Sequence, residues 1–197
     1  MELTLEHLKI SGMSIFIATV LGGILGIIIS EYKKTSTLVL SITNFLYTIP
    51  SISLLGFLIP FSGIGNTTAI IALTIYALLP MIRNTYTGID NIDPSIIESA
   101  RGMGSTEFQI LYKVKIPLAT TVILAGFKNM VVMTIALAGI ASFIGAGGLG
   151  VAVYRGITTN NSTLTIAGSL LIALLALIAD FLIGEIEKKI KKSWRLG

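Results

Sequence analysis

Apolar residues in this chain gather into five long runs, over residues 10–30, 37–59, 67–82, 117–140 and 164–183. A helix that crosses a bilayer needs about 20 apolar residues to span about 30 Å of hydrocarbon. The pattern therefore predicts an all-α, polytopic membrane protein with about five transmembrane helices, folded as a single transmembrane domain over residues 1–197. Five crossings put the two termini on opposite faces. Two polar connections are long, 83–116 and 141–163.

Several positions inside the runs carry further expectations. Gly22 and Gly26 form a G-x-x-x-G pair, which lets two helix backbones approach closely in a bilayer. No basic stretch or small-residue cleavage site marks the first run, so it reads as an uncleaved span. Pro50 interrupts the second run and Pro80 the third. Proline frees a carbonyl and kinks a helix, and at membrane depth this is tolerated where protein or a cavity satisfies the freed group. Tyr47, Pro50, Ser51 and Tyr76 are accordingly candidates to line a path through the membrane, with packing as the alternative role of the tyrosines. Met130 and Met133 read as core filling. Lys128 falls near the middle of the fourth run, and Asp180 in the fifth is its candidate ion-pair partner. The tail from Glu185 is basic and carries Trp194 and Arg195, a composition suited to the headgroup zone.

The polar connection 83–116 is the most informative stretch. Asp93 can cap a helix that begins at Pro94, since proline costs little in a first turn. Residues 94–101 then read as a short helix, and Gly102 and Gly104 let the chain turn sharply after it. A further segment leads to Pro117, where the next long helix is expected to begin. A capped short helix between spans is a rigid knob on one membrane face.

Composition narrows the class. The chain is 53% hydrophobic and only 12% charged, and its mean hydropathy is +0.88. A soluble domain carries about twice that charge. Cysteine is absent, which excludes disulfides, thiolate metal sites and a catalytic thiol. His7 is the only histidine and cannot make a metal site alone. No carboxylate pair or nucleophile with a base is evident, so no catalytic residue is assigned. Eleven of the fourteen lysines and arginines lie in 31–34, 83–116 and the C-terminal tail. The positive-inside rule places those segments in the cytoplasm, with the N-terminus outside and the C-terminus inside.

Gly145, Gly147 and Gly150 spell G-x-G-x-x-G, with Gly148 between them. As a dinucleotide fingerprint this needs a preceding strand, a following helix and an acidic residue about 20 positions on. An apolar run precedes it and Leu170 stands where the acid should be. The glycines read instead as an outer or gating loop that re-enters the bundle with its backbone buried. No phosphate-binding G-x-x-x-x-G-K-[ST] motif occurs, so any ATP site belongs to another chain.

Glu98, Ser99, Ala100, Gly104, Val114, Ile116 and Pro117 together resemble the cytoplasmic "EAA" loop of ABC-importer permeases. Ser99 departs from the usual alanine but is also small. The resemblance implies that Asp93, Pro94, Glu98, Ser99, Ala100, Arg101, Gly102, Gly104 and Pro117 form an ATPase-coupling surface. Further stretches, Thr48–Ser51, Arg83–Ile89 and Phe143–Gly150, look like the permeases of osmoprotectant importers, which carry glycine betaine, carnitine and choline. The likeness runs from about residue 10 to 185. It implies a translocation subunit and not an enzyme, in a bacterial cell membrane. Its expected partners are ABC ATPase subunits that use ATP and Mg, a second permease copy, and an extracytoplasmic substrate-binding protein, separate or fused. Membrane lipid surrounds it, and no nucleic acid is expected. A permease for methionine or another small solute is the same-class alternative. An ATP-independent channel or secondary transporter is the alternative of another class.

Overall fold

The computed structural model describes residues 1–194, with side-chain surroundings as far as Lys192. The expected headgroup role of the Trp194 side chain and of Arg195 lies outside those described. All regular elements among the described residues are helical: α1 (Glu2–Glu31), α2 (Lys33–Thr48), α3 (Ser51–Ser62), α4 (Asn66–Asp90), α5 (Pro94–Gly102), α6 (Glu107–Ile110), a π turn (Leu111–Lys115), α7 (Ile116–Ala138), a 3-10 turn (Ile140–Ile144), α8 (Gly150–Thr158) and α9 (Ser162–Trp194). Four helical stretches, α1, α4, α6 with α7, and α9, are long and apolar enough to cross a membrane, and the pair α2–α3 supplies a fifth crossing if counted as one span.

The centre is a three-helix unit of α1, α4 and α7. Buried Ala18, Ala77, Met81, Met130 and Val131 form one apolar cluster across it. Small residues set the spacing. A methyl added to Gly22 would stand 2.9 Å from Met81 Cβ, and one on Gly26 would stand 2.5 Å from Thr85 Cβ. The G-x-x-x-G pair is thus the seam between α1 and α4. On the other side of α4, Gly88 receives Ala119 and Gly126 receives Asn84. α9 lies against α7, where Lys128 and Asp180 are paired at 3.1 Å.

Four expectations are corrected. The second run is no single kinked span: the chain turns by 100° between α2 and α3 at Pro50. The polar connection is shorter than 83–116, because α4 continues to Asp90 and helix resumes at Glu107. Thr85, Gly88 and Ile89 are buried between neighbours, and polar composition alone does not end a helix whose face is packed. Pro117 stands in the first turn of α7, as expected, although α7 continues directly from the turn before it. The proline cannot donate to the carbonyl one turn back, and the ladder instead widens into the π turn over Leu111–Lys115 just before it. The Gly-rich connection 141–163 is partly helical, since it holds most of the 3-10 turn and all of α8. The first span is also longer than its apolar run, reaching back to Glu2 with His7, Ser11 and Ser14 buried.

Candidate coupling site and bundle clasp

The residues expected to couple to a partner gather at one end of the bundle, on α5 and its flanks. The Asp93 carboxylate accepts from the Ser95 N–H at 2.9 Å, and this bond holds its pKa below the ordinary carboxylate value. Pro94 occupies the first turn as expected. Ser99 returns its hydroxyl to the Ser95 carbonyl at 2.7 Å, and Ala100 is the one buried residue of the helix. Glu98, Ser99 and Arg101 are exposed. Arg101 donates from Nε and Nη2 to Glu107 Oε1 at 2.9 and 2.7 Å. The turn after α5 needs only one glycine: Gly104 has φ +83, whereas Gly102 is still helical. Ser105 N–H closes that turn on the Ala100 carbonyl at 3.1 Å. Pro117 lies apart from the knob, in the first turn of α7.

Three features of this end escaped the sequence reading. Thr106 and Gln109 form a reciprocal capping box that restarts the helix, a signature visible in the sequence as T-x-x-Q. Ion pairs Lys33–Asp90 and Lys115–Glu31, both at 2.6 Å, tie the ends of neighbouring helices together. Finally, Ile96, Met103, Phe108 and Tyr112 are exposed here, outside or at the margin of the spans. A cavity of 230 Å³ lies behind the knob, lined by Lys33, Asp90, Pro94, Glu98, Arg101 and Lys115 among others.

At the opposite end sits the glycine loop. Asn66 Oδ1 accepts from the Gly147 N–H at 2.8 Å, Glu6 Oε2 accepts from the Gly148 N–H at 3.1 Å, and Asn66 Nδ2 donates to Glu6 Oε1 at 3.0 Å. This clasp joins the start of α1, the start of α4 and the loop. Gly145 and Gly148 have φ +73 and +91. A methyl on Gly147 would enter the Glu6 carboxylate, and one on Gly150 would strike the Gly139 carbonyl. Next to the clasp, buried His7 donates from Nε2 to the Ile135 carbonyl at 3.0 Å. Glu6 and Asn66 were not singled out from sequence, since isolated polar residues at helix starts carry no spacing signal.

The third candidate group meets at the bend. The Tyr76 hydroxyl donates to the Ile49 carbonyl, which sits directly before Pro50. Tyr47 packs edge-on against Tyr76 with ring centroids 5.8 Å apart and reaches Met133 Sδ at 3.3 Å. Pro50 caps α3 with its carbonyl, accepting from Ser53 and Leu54 N–H at 2.9 and 3.0 Å. Ser51 begins that helix. The freed carbonyl at the bend is therefore satisfied by protein. Among the described residues no cluster of three or more metal-ligating side chains occurs.

Residues 18–192 match the family model described as the binding-protein-dependent transport system inner membrane component. The chain belongs to that family. Among curated relatives, the glycine betaine/carnitine/choline transport system permease protein OpuCD of Bacillus subtilis is 41% identical over 184 residues, covering 93% of this chain and 80% of that one. The osmoprotectant import permease protein OsmW of Salmonella typhimurium is 42% identical over 191 residues, covering 94% of this chain and 89% of that one. Among solved structures, an inward-facing MetNI methionine ABC transporter superposes with a TM-score of 0.87 at 26% identity, over 94% of this chain and 93% of that one. This permease is thus a multi-pass inner-membrane translocation component with an ABC-permease fold.

Proposed function

We propose that this permease moves quaternary ammonium osmoprotectants of the glycine betaine, carnitine and choline type into the cell by alternating access. The observation that carries the mechanism is the exposed, doubly fixed helix α5, capped by Asp93 at one end and closed through Gly104 at the other. Its end of the bundle faces the cytoplasm, so the N-terminus is outside and the C-terminus inside. Partner ATPase subunits, which use ATP and Mg, receive α5 together with Ile96, Met103 and Phe108. Closure of the ATPases on ATP pushes the knob, and the Lys33–Asp90 and Lys115–Glu31 pairs pass that displacement to α2, α4, α1 and α7. A second permease copy completes the path. An extracytoplasmic binding protein, separate or fused, docks on the outer surface around 60–66 and 141–163. The relatives near 40% identity favour osmoprotectants over methionine as cargo.

The test is uptake into vesicles holding this chain, its ATPase and its binding protein, with labelled glycine betaine and with carnitine, choline and methionine as competitors. Saturable, ATP-dependent uptake of a quaternary ammonium compound is the expected result. Uptake of methionine alone keeps the permease and overturns the cargo. Uptake without ATP or partners overturns the importer reading in favour of a channel or secondary transporter.

A further inference from the structure

Hydrocarbon gives a polar side chain no hydrogen-bonding partner, so helix faces turned to lipid are apolar. The exposed face of α9 follows this rule, with Ile166, Leu170, Leu174, Leu177 and Phe181 in succession. α2 breaks it. Thr37, Ser41, Asn44 and Thr48 are all exposed, and their spacing of three and four residues places them in one stripe along the helix. Thr48 returns its hydroxyl to the Phe45 carbonyl at 2.7 Å. Thr37, Ser41 and Asn44 make no side-chain hydrogen bond among the described residues, although neighbouring Ser36 and Thr43 bond their own helix.

Two further helices extend the stripe. The contact between Tyr47 and Met133 fixes α2 beside α7 at that level, and both helices run away from the coupling end. One turn nearer that end stand Asn44 on α2 and Asn129 on α7, each exposed. Helix α4 turns Tyr76 toward Tyr47 of α2 and Asn84 toward Gly126 of α7. Pro80 lies between those two directions, and exposed Arg83 lies within about 20° of the Tyr76 direction, on the face turned to α2. Arg83 lies seven residues before Asp90, about 10 Å deeper along the axis, and helical side chains lean toward the N-terminus, which takes its guanidinium deeper still. Among the described residues no carboxylate lies within 4.0 Å of it. Intramembrane charges are costly and mark paths for polar cargo or sites of pairing.

We infer that the cleft between α2, α4 and α7 is a water-filled wall of the solute path, and that Arg83 holds the carboxylate of a small zwitterion there. Asn44, Asn129 and Ser41 replace part of the solute's hydration shell. Guanidinium suits this task because its planar fork meets both carboxylate oxygens. The inference rests on the proposed transport function and names the substrate-contacting side chains of that path.

Because the chain has no cysteine, single cysteines report water directly. Cysteine would be placed at Ser41, Asn44 or Asn129, and at Leu174 or Leu177 as controls, in the assembled complex. A membrane-impermeant cationic methanethiosulfonate should modify the first three much faster than the controls. Equal rates would mean that lipid or a second copy seals this face, and would overturn the path. In the uptake assay, Arg83→Gln should raise the KM for glycine betaine relative to that for choline, which has no carboxylate, by about tenfold or more. Arg83→Lys, which keeps the charge without the fork, should show a smaller rise in the same ratio. Equal shifts for both solutes in both variants would overturn the role of Arg83. If the unaltered complex takes up none of glycine betaine, carnitine and choline, the proposed function fails, while the labelling pattern still decides whether the cleft holds water.

Discussion

Helix α5 and the glycine loop are shaped by different means. At the coupling end, every bond that shapes α5 is local: Asp93 to Ser95, Ser99 to Ser95, Arg101 to Glu107 and Ser105 to Ala100. At the glycine-loop end, local turn bonds such as Gly145 to Ser142 and Ala146 to Ala141 are joined by bonds between positions far apart in sequence, Glu6 to Gly148 and Asn66 to Gly147. A locally closed element keeps its shape while its surroundings move, which suits a part that is pushed. An element closed by distant partners keeps its shape only while those partners stay in register, which suits a part that opens when helices rock.

The largest expected break of this comparison is Gly150→Val. Its side chain would meet the Gly139 backbone, which cannot step aside, so stability should fall by about 3 kcal/mol. Thermal unfolding of the purified permease would measure it. Gly104→Val, at φ +83 but with open space around it, should cost less, about 1–3 kcal/mol, and Gly102→Ala should be neutral or slightly stabilising. If Gly102 proved the more sensitive of the two, the turn geometry assigned to Gly104 would be wrong.

Charge reversal at Glu98 comes next and acts on function alone. Glu98→Lys should leave membrane insertion intact, yet lower uptake per ATP hydrolysed by more than about tenfold, because a reversed charge at a docked surface costs several kcal/mol. Normal uptake in this variant would remove α5 from the coupling role. Glu6→Gln should be milder. It keeps the shape of the clasp but removes a charge-assisted bond worth about 1–3 kcal/mol, and hydrogen exchange at Gly147 and Gly148 should accelerate while α5 is unaffected.

The smallest effect is a pH dependence. Asp93 has its pKa lowered in the folded chain from the ordinary 3.8 by the Ser95 N–H. The charged cap therefore contributes fully above about pH 4 and is lost as pH falls through the depressed folded value. Helix fraying at α5 should appear only in that acid window. Asp93→Asn should abolish the dependence while keeping the cap.

Much of this was legible in the sequence because lipid imposes simple rules. The Gly22–Gly26 seam, the Lys128–Asp180 pair, the Asp93 cap and the number of apolar runs each follow from local pattern or from the cost of charge in hydrocarbon. The failures share a cause as well. Arg83 to Asp90 looks like a loop by polarity, yet Thr85 and Gly88 are buried by helices that are distant in sequence. The clasp joins Glu6, Asn66 and Gly148 across almost the whole chain, and no short-range signal announces such a meeting. The 100° turn at Pro50 also depends on Tyr76, 26 residues further on.

The π turn at Leu111–Lys115 bears on the spacing between Gly104 and Pro117. A π turn holds one residue more than an α turn, so everything after it is rotated by about 100° relative to an uninterrupted helix. Removing one residue there would leave Pro117 in a helix but swing Ala119 away from Gly88 and Gly126 away from Asn84. The interval between Gly104 and Pro117 is therefore an angle more than a length. It sets the phase at which the membrane part of the helix meets its neighbours while the knob keeps its own heading.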